Sequence, residues 1–554
     1  MKIVIIRDIM DTRLNMSDKD ISLENSRNDS VKTPKNVYTL ADVTPKFEKI
    51  WFKYPWLLQL NIFLLGGILA QVTSGYDGSM MNNLQTLPSW RNYFDQPTGS
   101  ILSTMANGVT IGTLISIPFT WFVCDYFGRR ITIMFGCIVV IIGAAIQGGA
   151  VNFGMFTAAR VLLGIGSCFA SAAASPLLAE TSYPSQRPVV TALLLASWPF
   201  GSFVASVVTW GPYHSSMKYN NWSWRIPSIL QCAFPAIELL LAFFGPESPR
   251  WLIDKGRSDE AEAFFIKYHA GGDSSSPLVS YEMAEIKAII EQEKVQKKSK
   301  WSEWFRTKQR LRRLFIVLAV PAMAQLCGNA LISYYLQIVL TNIGITETND
   351  QLKINIGMTV YGLVWSVGCA TFVDKFKRKH TFIGGYILMC ITYVVWTILS
   401  AINQQGDFEN KGLGRGVVAM IYLFLGFYHI VSPVSMTFVM EVCPFHLRAQ
   451  GATLYQLSGN VIGFFNNYVN NIAMQAITWR YYIVWCIWLV VQMNIVYWIF
   501  PETKGLGLEE VAQVFGEDVT AGYKAGDHAL EYGIEEVNKD DVSVEHIEEK
   551  VDKN

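Results

Sequence analysis

Residues 57–76 read LLQLNIFLLGGILAQVTSGY, twenty residues with no Lys, Arg, Asp or Glu, and the next residue is Asp77, held between Gly75-Tyr76 and Gly78. A run of this length and composition suits a helix crossing about 30 Å of hydrocarbon. Lipid offers the backbone no hydrogen-bond partner, so the run is predicted as a helix. The carboxylate that closes it is costly at membrane depth and needs either a partner or a task.

Eleven more runs of this kind follow, at 101–123, 131–150, 156–178, 189–210, 226–245, 314–340, 353–373, 381–401, 416–440, 450–474 and 481–500. The expected fold class is an all-α membrane protein with twelve transmembrane helices in two six-helix halves. The 45 basic and 45 acidic residues balance, so nothing points to nucleic acid as a partner. The nine cysteines are scattered, no pair has metal-ligand spacing, and no metal site is predicted. No nucleophile–base constellation or phosphate-binding loop suggests an enzyme, and no cofactor is implied.

The boundaries follow from charge. Residues 1–55 read as a disordered polar tail, 56–245 as the first half, 246–313 as a polar helical linker, 314–500 as the second half and 501–554 as an acidic tail. In the linker, Ala284, Ile286, Ile289 and Ile290 suggest an apolar face that docks on the membrane domain. Lys and Arg gather in the loops after the second, fourth and eighth spans and in the linker. The positive-inside rule therefore places both termini in the cytosol. Asn221-Trp222-Ser223 then faces outside as a glycosylation acceptor.

The halves repeat each other. Asp125-Tyr126-Phe127-Gly128-Arg129-Arg130 and Asp374-Lys375-Phe376-Lys377-Arg378-Lys379 follow the second span of each half. Glu180, Pro184 and Arg187 follow the fourth span, matched by Glu441, Pro444 and Arg448. Pro246-Glu247-Ser248-Pro249-Arg250 and Pro501-Glu502-Thr503-Lys504-Gly505 follow the sixth. Three matched pairs at equivalent places predict a duplicated six-span unit.

Polar side chains inside the spans are candidates for a substrate cavity. Gln325 and Asn329 are four residues apart and so share a helical face. Amides donate to and accept from hydroxyls. Tyr334, Tyr335 and Trp198 offer rings, and Asn460 and Asn466 offer further amides, with helix–helix hydrogen bonding as the alternative task for each. His429 either contacts substrate or bonds a neighbouring helix. Asp77 lies about 20 residues beyond the cytosolic end of the first span, and Arg160 the same distance before Glu180 in the fourth. At 1.5 Å per residue both sit roughly 30 Å from the inner face.

Together, DYFGRR, PESPRWL, PETKG, the two Glu…Pro…Arg elements and QLCGNALISYY at 325–335 resemble the sugar porter family of the major facilitator superfamily, closest to its fungal hexose transporter and lactose-permease-like branch, over roughly residues 50–515. The resemblance implies a monomeric plasma-membrane carrier that moves a sugar or polyol by alternating access. The carrier is either proton-coupled or passive, and a non-transporting nutrient sensor shares the scaffold. It implies an Asp77–Arg160 pair for proton coupling. It also implies a cytosolic gate of Asp125, Arg129, Arg130, Glu180, Arg187, Glu247, Arg250, Asp374, Arg378, Glu441 and Arg448. The family's sugar-binding amide positions fall on Leu195, Ala324 and Ala330, and its sugar-stacking Trp on Met436, which is expected at the substrate site.

Overall fold

The computed structural model describes residues 51–516, apart from 297–300, 373–375, 407, 409, 445–446, 505 and 507. The greater part of both predicted tails, the gate carboxylate Asp374 and the side chain of Leu195 lie outside the described residues. No strand occurs among the described residues. The first half of the chain forms α1 (Pro55–Thr86), α2 (Pro88–Tyr93), α3 (Gly99–Phe127), α4 (Arg129–Gly148), α5 (Phe153–Thr181), α6 (Arg187–Tyr213), α7 (Trp222–Leu230) and α8 (Ala233–Phe244). The linker holds α9 (Pro249–Asp254), α10 (Ser258–Tyr268) and α11 (Pro277–Gln296). The second half forms α12 (Lys308–Gln325), α13 (Asn329–Thr341), α14 (Thr348–Phe372), α15 (Arg378–Gln405), α16 (Lys411–Val442), α17 (Arg448–Ile477), α18 (Tyr481–Ile499) and the short α19 (Leu508–Val514).

Ten segments among the described residues are long and apolar enough to cross a membrane. They include α7–α8 as one run, α12–α13 as another, and Gln450–Ile499, which spans most of α17 and all of α18. The predicted span at 353–373 falls in α14, which is not among the ten and carries Asp350 and Lys353 near its start. Below, the end of the bundle where α1 begins is called the base and the opposite end the top.

Helix α1 corrects the reading of Asp77 as the close of a span. The helix continues through Ser79, Asn82, Asn83 and Gln85 to Thr86, so Asp77 lies in its interior. That polar extension is stable because it is buried against protein rather than lipid: Asn82, Asn83 and Gln85 are all nearly inaccessible. The glycines around Asp77 have a packing cause. A Cβ on Gly75 would sit 2.0 Å from the carbonyl oxygen of Trp198, and one on Gly201 would sit 2.0 Å from that of Val72. α1 and α6 therefore cross with their backbones in contact, which only glycine permits.

At the base, Leu57, Leu60 and Leu64 of α1 and Leu178 of α5 form one apolar core with Phe264, Phe265, Leu278 and Ile290 of α10 and α11. A buried polar chain ties the same elements. His269 Nδ1 lies 2.6 Å from Glu282, His269 Nε2 lies 3.3 Å from the Thr181 carbonyl, and Arg187 approaches Glu282 at 3.4 Å. The linker is thus docked on the first half. The second half has its own continuous core, from Trp304 and Leu314 through Tyr393 and Trp396 to Trp485 and Phe515.

Candidate functional site

A cavity of about 360 Å³ lies between the halves, lined from one side by α1 and α6 and from the other by α12–α14 and α16. Its polar lining includes Ser79, Asn82 and Ser202 facing Gln325, Asn329, Asn355 and Ser432, with the rings of Trp198, Tyr334, Tyr428 and His429. Among the described residues, no Asp, Glu, Lys or Arg lines it. Such a surface offers donors, acceptors and flat apolar faces without fixed charge, which suits a neutral polyhydroxylated molecule.

Hydrogen bonds between the halves close the cavity towards the top. Asn355 of α14 donates to Asn83 and to Ser206, at 3.4 Å for the latter, and accepts from Asn82 at 3.4 Å. Asn82 also accepts the backbone N–H of Leu336 at 3.2 Å, and Gln85 donates to the Tyr334 carbonyl at 3.0 Å. On the far side of the bundle, Asn471 of α17 donates to the Gly99 carbonyl at 2.7 Å.

The predicted seventh span is not one helix. α12 stops at Gln325, Gly328 takes a left-handed φ of 90°, and α13 restarts at Asn329. A Cβ at Gly328 would meet the Tyr393 hydroxyl at 2.1 Å, and that hydroxyl donates to the Gly328 carbonyl at 2.9 Å. The carbonyls freed by the break are also satisfied. Gln492 donates to Met323 and Leu326 at 3.2 and 3.1 Å, and Asn466 donates to Gln325 at 2.7 Å. The break turns Gln325 and Asn329 into the cavity from two helix ends, and Asn329 Oδ1 is buried without a hydrogen-bond partner.

The structure thus brings Gln325, Asn329, Tyr334 and Trp198 to the cavity. Others of the predicted substrate residues are placed elsewhere. Tyr335 is fully buried and donates to the Asn467 carbonyl at 2.7 Å. Asn466 is occupied by the Gln325 carbonyl, and Asn460 bonds back to Gln456 within α17 at 2.8 Å. Met436 is not part of the lining, although Ser432, one turn earlier on α16, is.

Asp77 is 1 % exposed, and its partners come from other helices. Gln231, at the α7–α8 break, donates its amide to Oδ1, and Ser167 of α5 donates to Oδ2 at 2.9 Å. Arg160 is equally buried on α5, and no ion pair within 4.0 Å joins it to Asp77. Its Nε and Nη1 make no hydrogen bond. The two charges lie near enough to act on one another through a medium of low polarity.

The base shows the duplication atom by atom. Glu247 accepts the backbone N–H groups of Arg129 and Arg130, at 3.0 and 3.1 Å, and so caps the start of α4. Glu502 accepts those of Arg378 and Lys379, at 2.9 and 3.2 Å, and caps the start of α15. A carboxylate at a helix N-terminus is favoured by the unpaired N–H groups and the helix dipole. Beside each cap, the Ser248 hydroxyl donates to Glu180 and the Thr503 hydroxyl donates to Glu441 at 2.5 Å. Arg129 reaches Glu180 at 3.5 Å and Asp125 at 3.7 Å, and Arg378 reaches Glu441 at 2.9 Å. These ion pairs each stay within one half. Arg130 donates to the Phe243 carbonyl at 2.5 Å, and Arg187 turns to Glu282. Arg250 sits in α9 and Arg448 opens α17.

The two caps differ in their acid–base balance. Burial pushes the Glu247 carboxyl above its ordinary range despite the N–H groups of Ser248, Arg130 and Arg129. Burial also raises Glu502, but the N–H groups of Lys504, Arg378 and Lys379 outweigh it and hold that carboxyl low. Sequence reasoning missed Glu502, Ser248 and Thr503 as working residues, although the PES/PET repeat marks them. It also missed Ser167 and Asn355, which carry no local motif.

A helical membrane protein with a charge-free cavity between two matched halves is a carrier by its architecture. The family model described as "Sugar (and other) transporter" matches residues 63–515. The chain belongs to this family, whose members are transporters rather than enzymes. It is 27% identical over 510 residues to a high-affinity glucose transporter of Kluyveromyces lactis, covering 88% of this chain and 90% of that one. It is 28% identical over 476 residues to the MFS-type transporter criB of Aspergillus cristatus, covering 83% and 95%. Among solved structures, the inward open conformation of the xylose transporter XylE from E. coli superposes with a TM-score of 0.68 at 19% identity, covering 82% of this chain and 99% of that one. The proton:xylose symporter XylE bound to 6-bromo-6-deoxy-D-glucose gives 0.65 at 19% identity, covering 84% and 100%. These likenesses show the major facilitator fold.

Proposed function

We propose that this chain carries a neutral sugar or polyol across the membrane by alternating access, coupled to protons through Asp77. The observation that carries this reading is the cavity between the halves, lined by amides, hydroxyls and rings and, among the described residues, by no charged side chain. The names of its relatives, glucose transporters among them, point the same way.

The remaining topology is part of the proposal. Gln450–Ile499 counts as two crossings and α14 as one more, so the ten apolar segments become twelve. The base is the cytosolic face, both termini are cytosolic, the docked linker helices form a small cytosolic domain, and the carrier works as a monomer in the plasma membrane. In this state the cavity is closed towards the outside by Asn82, Asn83 and Asn355 and faces inward. The network of Arg129, Glu180, Arg378 and Glu441 latches the halves when the cavity turns outward. Its ion pairs are now made within each half, as an unlatched gate requires.

Proton coupling follows from the setting of Asp77. A buried carboxylate held by an amide and a hydroxyl, with a guanidinium close but not paired, changes its proton affinity when a helix shift alters that distance. α5 carries both Ser167 and Arg160, so one movement of α5 against α1 changes both contacts.

Expression in cells lacking hexose carriers, with labelled glucose, xylose and a polyol, tests the reading. Uptake of at least one, accelerated by an inward proton gradient, is expected. Uptake of none by a protein correctly placed at the surface would overturn it, and would favour a sensor.

A further inference from the structure

Asp77 is not the only carboxylate buried among the membrane helices. Glu238 of α8 is 1 % exposed, and its Oε1 has no hydrogen-bond partner. Among the described residues, no cation lies within ion-pair distance of it. The side chain that faces it from α4 is Cys137, whose thiol can donate one weak hydrogen bond. An isolated carboxyl in a membrane helix is expensive and marks a function.

Its position is informative. Glu238 is seven residues beyond Gln231, and the two residues of the turn that joins α7 to α8, Gln231 and Cys232, keep right-handed helical dihedrals. Seven residues are nearly two full turns, so the two side chains lie on one face about 10 Å apart. Gln231 is the residue that donates to Asp77, and its own Oε1 is buried without a partner. Glu238 therefore stands directly below the Asp77 site, towards the base.

Between Glu238 and the base lies a cleft of about 30 Å³ that both Glu238 and Arg130 line. That is room for about two water molecules. Arg130 arches over the end of α8 by donating to the Phe243 carbonyl, and its Nε is left without a partner. Cys137 and Arg130 are the titratable or charged groups that face Glu238 from α4. α1 and α5 present apolar side chains, glycines and Thr181.

We propose that Glu238 is a second proton-binding carboxyl of the first half, placed between Asp77 and the cytosolic face, which exchanges its proton with water in the Arg130 cleft. On release, the carboxyl O–H bond breaks and the proton passes to water. The electron pair stays on the carboxylate, facing the Arg130 guanidinium. The inference rests on the proton-coupled reading for its part in transport, but not for the existence of the site.

Two measurements on the full-length protein in lipid vesicles separate those two claims. Infrared difference spectra between about pH 4 and about pH 10 report protonated carboxyls. A carboxyl band that titrates in the wild type and in Asp77→Asn, is absent in Glu238→Gln and is shifted in Glu238→Asp establishes the site. A titrating band that vanishes in Asp77→Asn and is unchanged in both Glu238 variants overturns it. Glu238→Asp retains a carboxyl, so the test survives if the Gln variant does not fold. Separately, sugar-driven proton flux is expected to fall about tenfold in Glu238→Gln. If the wild type moves sugar with no proton flux while the Glu238 band still titrates, the coupling reading fails and the proton site stands.

Discussion

Gln231 donates its side-chain amide to the carboxylate of Asp77, while Arg160, equally buried, stays outside ion-pair distance. An amide neutralises nothing, so this carboxylate is solvated by dipoles rather than paired with a charge. Replacing Asp77 by Asn keeps the shape and allows both hydrogen bonds to be remade. The variant is expected to exchange labelled sugar across the membrane at near wild-type rates but to lose uphill accumulation, by at least about tenfold. Uptake into vesicles with and without an imposed proton gradient checks it. Accumulation unchanged in Asp77→Asn would remove Asp77 from the coupling mechanism.

The α1–α6 crossing leaves no room for a methyl group. Gly75→Ala and Gly201→Ala each force a Cβ to within 2.0 Å of a carbonyl oxygen on the opposite helix. Backbone cannot rotate away as a side chain can, so each is expected to cost about 1–3 kcal/mol or more and to lower the melting temperature in detergent. Gly211→Ala, in the same α6 but with nothing within 4 Å of the place its methyl would take, is the control and should melt like the wild type. Equal melting of all three proteins would show that the two helices do not touch as described.

Glu247 and Glu502 cap equivalent helices but should release them at different pH. Glu502 is held low by the N–H groups that outweigh its burial, so its contribution is present above the unfolded carboxylate range and is lost only as pH falls through its depressed value. Glu247 is raised, so its charged form is disfavoured by folding and it takes up a proton at higher pH. On acidification the cap on α4 should therefore weaken before the cap on α15. Hydrogen exchange of the amides at 129–132 is expected to accelerate at a higher pH than that of the amides at 378–381. The reverse order would contradict the assigned balance of burial and hydrogen bonding.

The duplication was legible because the PES and PET motifs recur at equivalent places, but that their Glu caps one helix while Ser248 and Thr503 brace another needed the tertiary contacts. The apolar runs were legible because hydrocarbon thickness sets their length. Counting residues predicts a common depth for Asp77 and Arg160, whereas Asp77 bonds Ser167, about two turns further along α5 than Arg160. The partners that hold Asp77, Gln231 and Ser167, were not found as such, because which face of α5 and α8 meets α1 depends on packing rather than on local pattern. The seventh span looked continuous because Gln325 and Asn329 have helical spacing, and the break at Gly328 needs the Tyr393 hydroxyl from a distant helix. Tyr335 and Asn466 have the right chemistry for a sugar but satisfy backbone carbonyls instead. Residue type alone does not separate these two uses of a polar group in a membrane helix.

Asn355 joins the halves at the top through Asn82, Asn83 and Ser206, all three from helices of the opposite half. Alternating access requires these bonds to break when the cavity turns outward, where water can replace them. Asn355→Ala removes them from the state described here and leaves the outward-facing state nearly untouched. A net loss of about 0.5–1.5 kcal/mol per bond over three bonds shifts the equilibrium outward by roughly tenfold or more, since about 1.4 kcal/mol is tenfold. Ser100 and Gln475 are both exposed, and Gln475 lies beside Gly99 at the start of α3, so spin labels at Ser100→Cys and Gln475→Cys report the opening when the native cysteines are replaced. The long-distance population between the labels should rise in Asn355→Ala, and the apparent affinity for sugar supplied from the inner side should fall with it. A distance distribution identical to that of the parent would mean that Asn355 does not hold the outer gate, and that closure rests on the α3–α17 contact of Asn471 with Gly99.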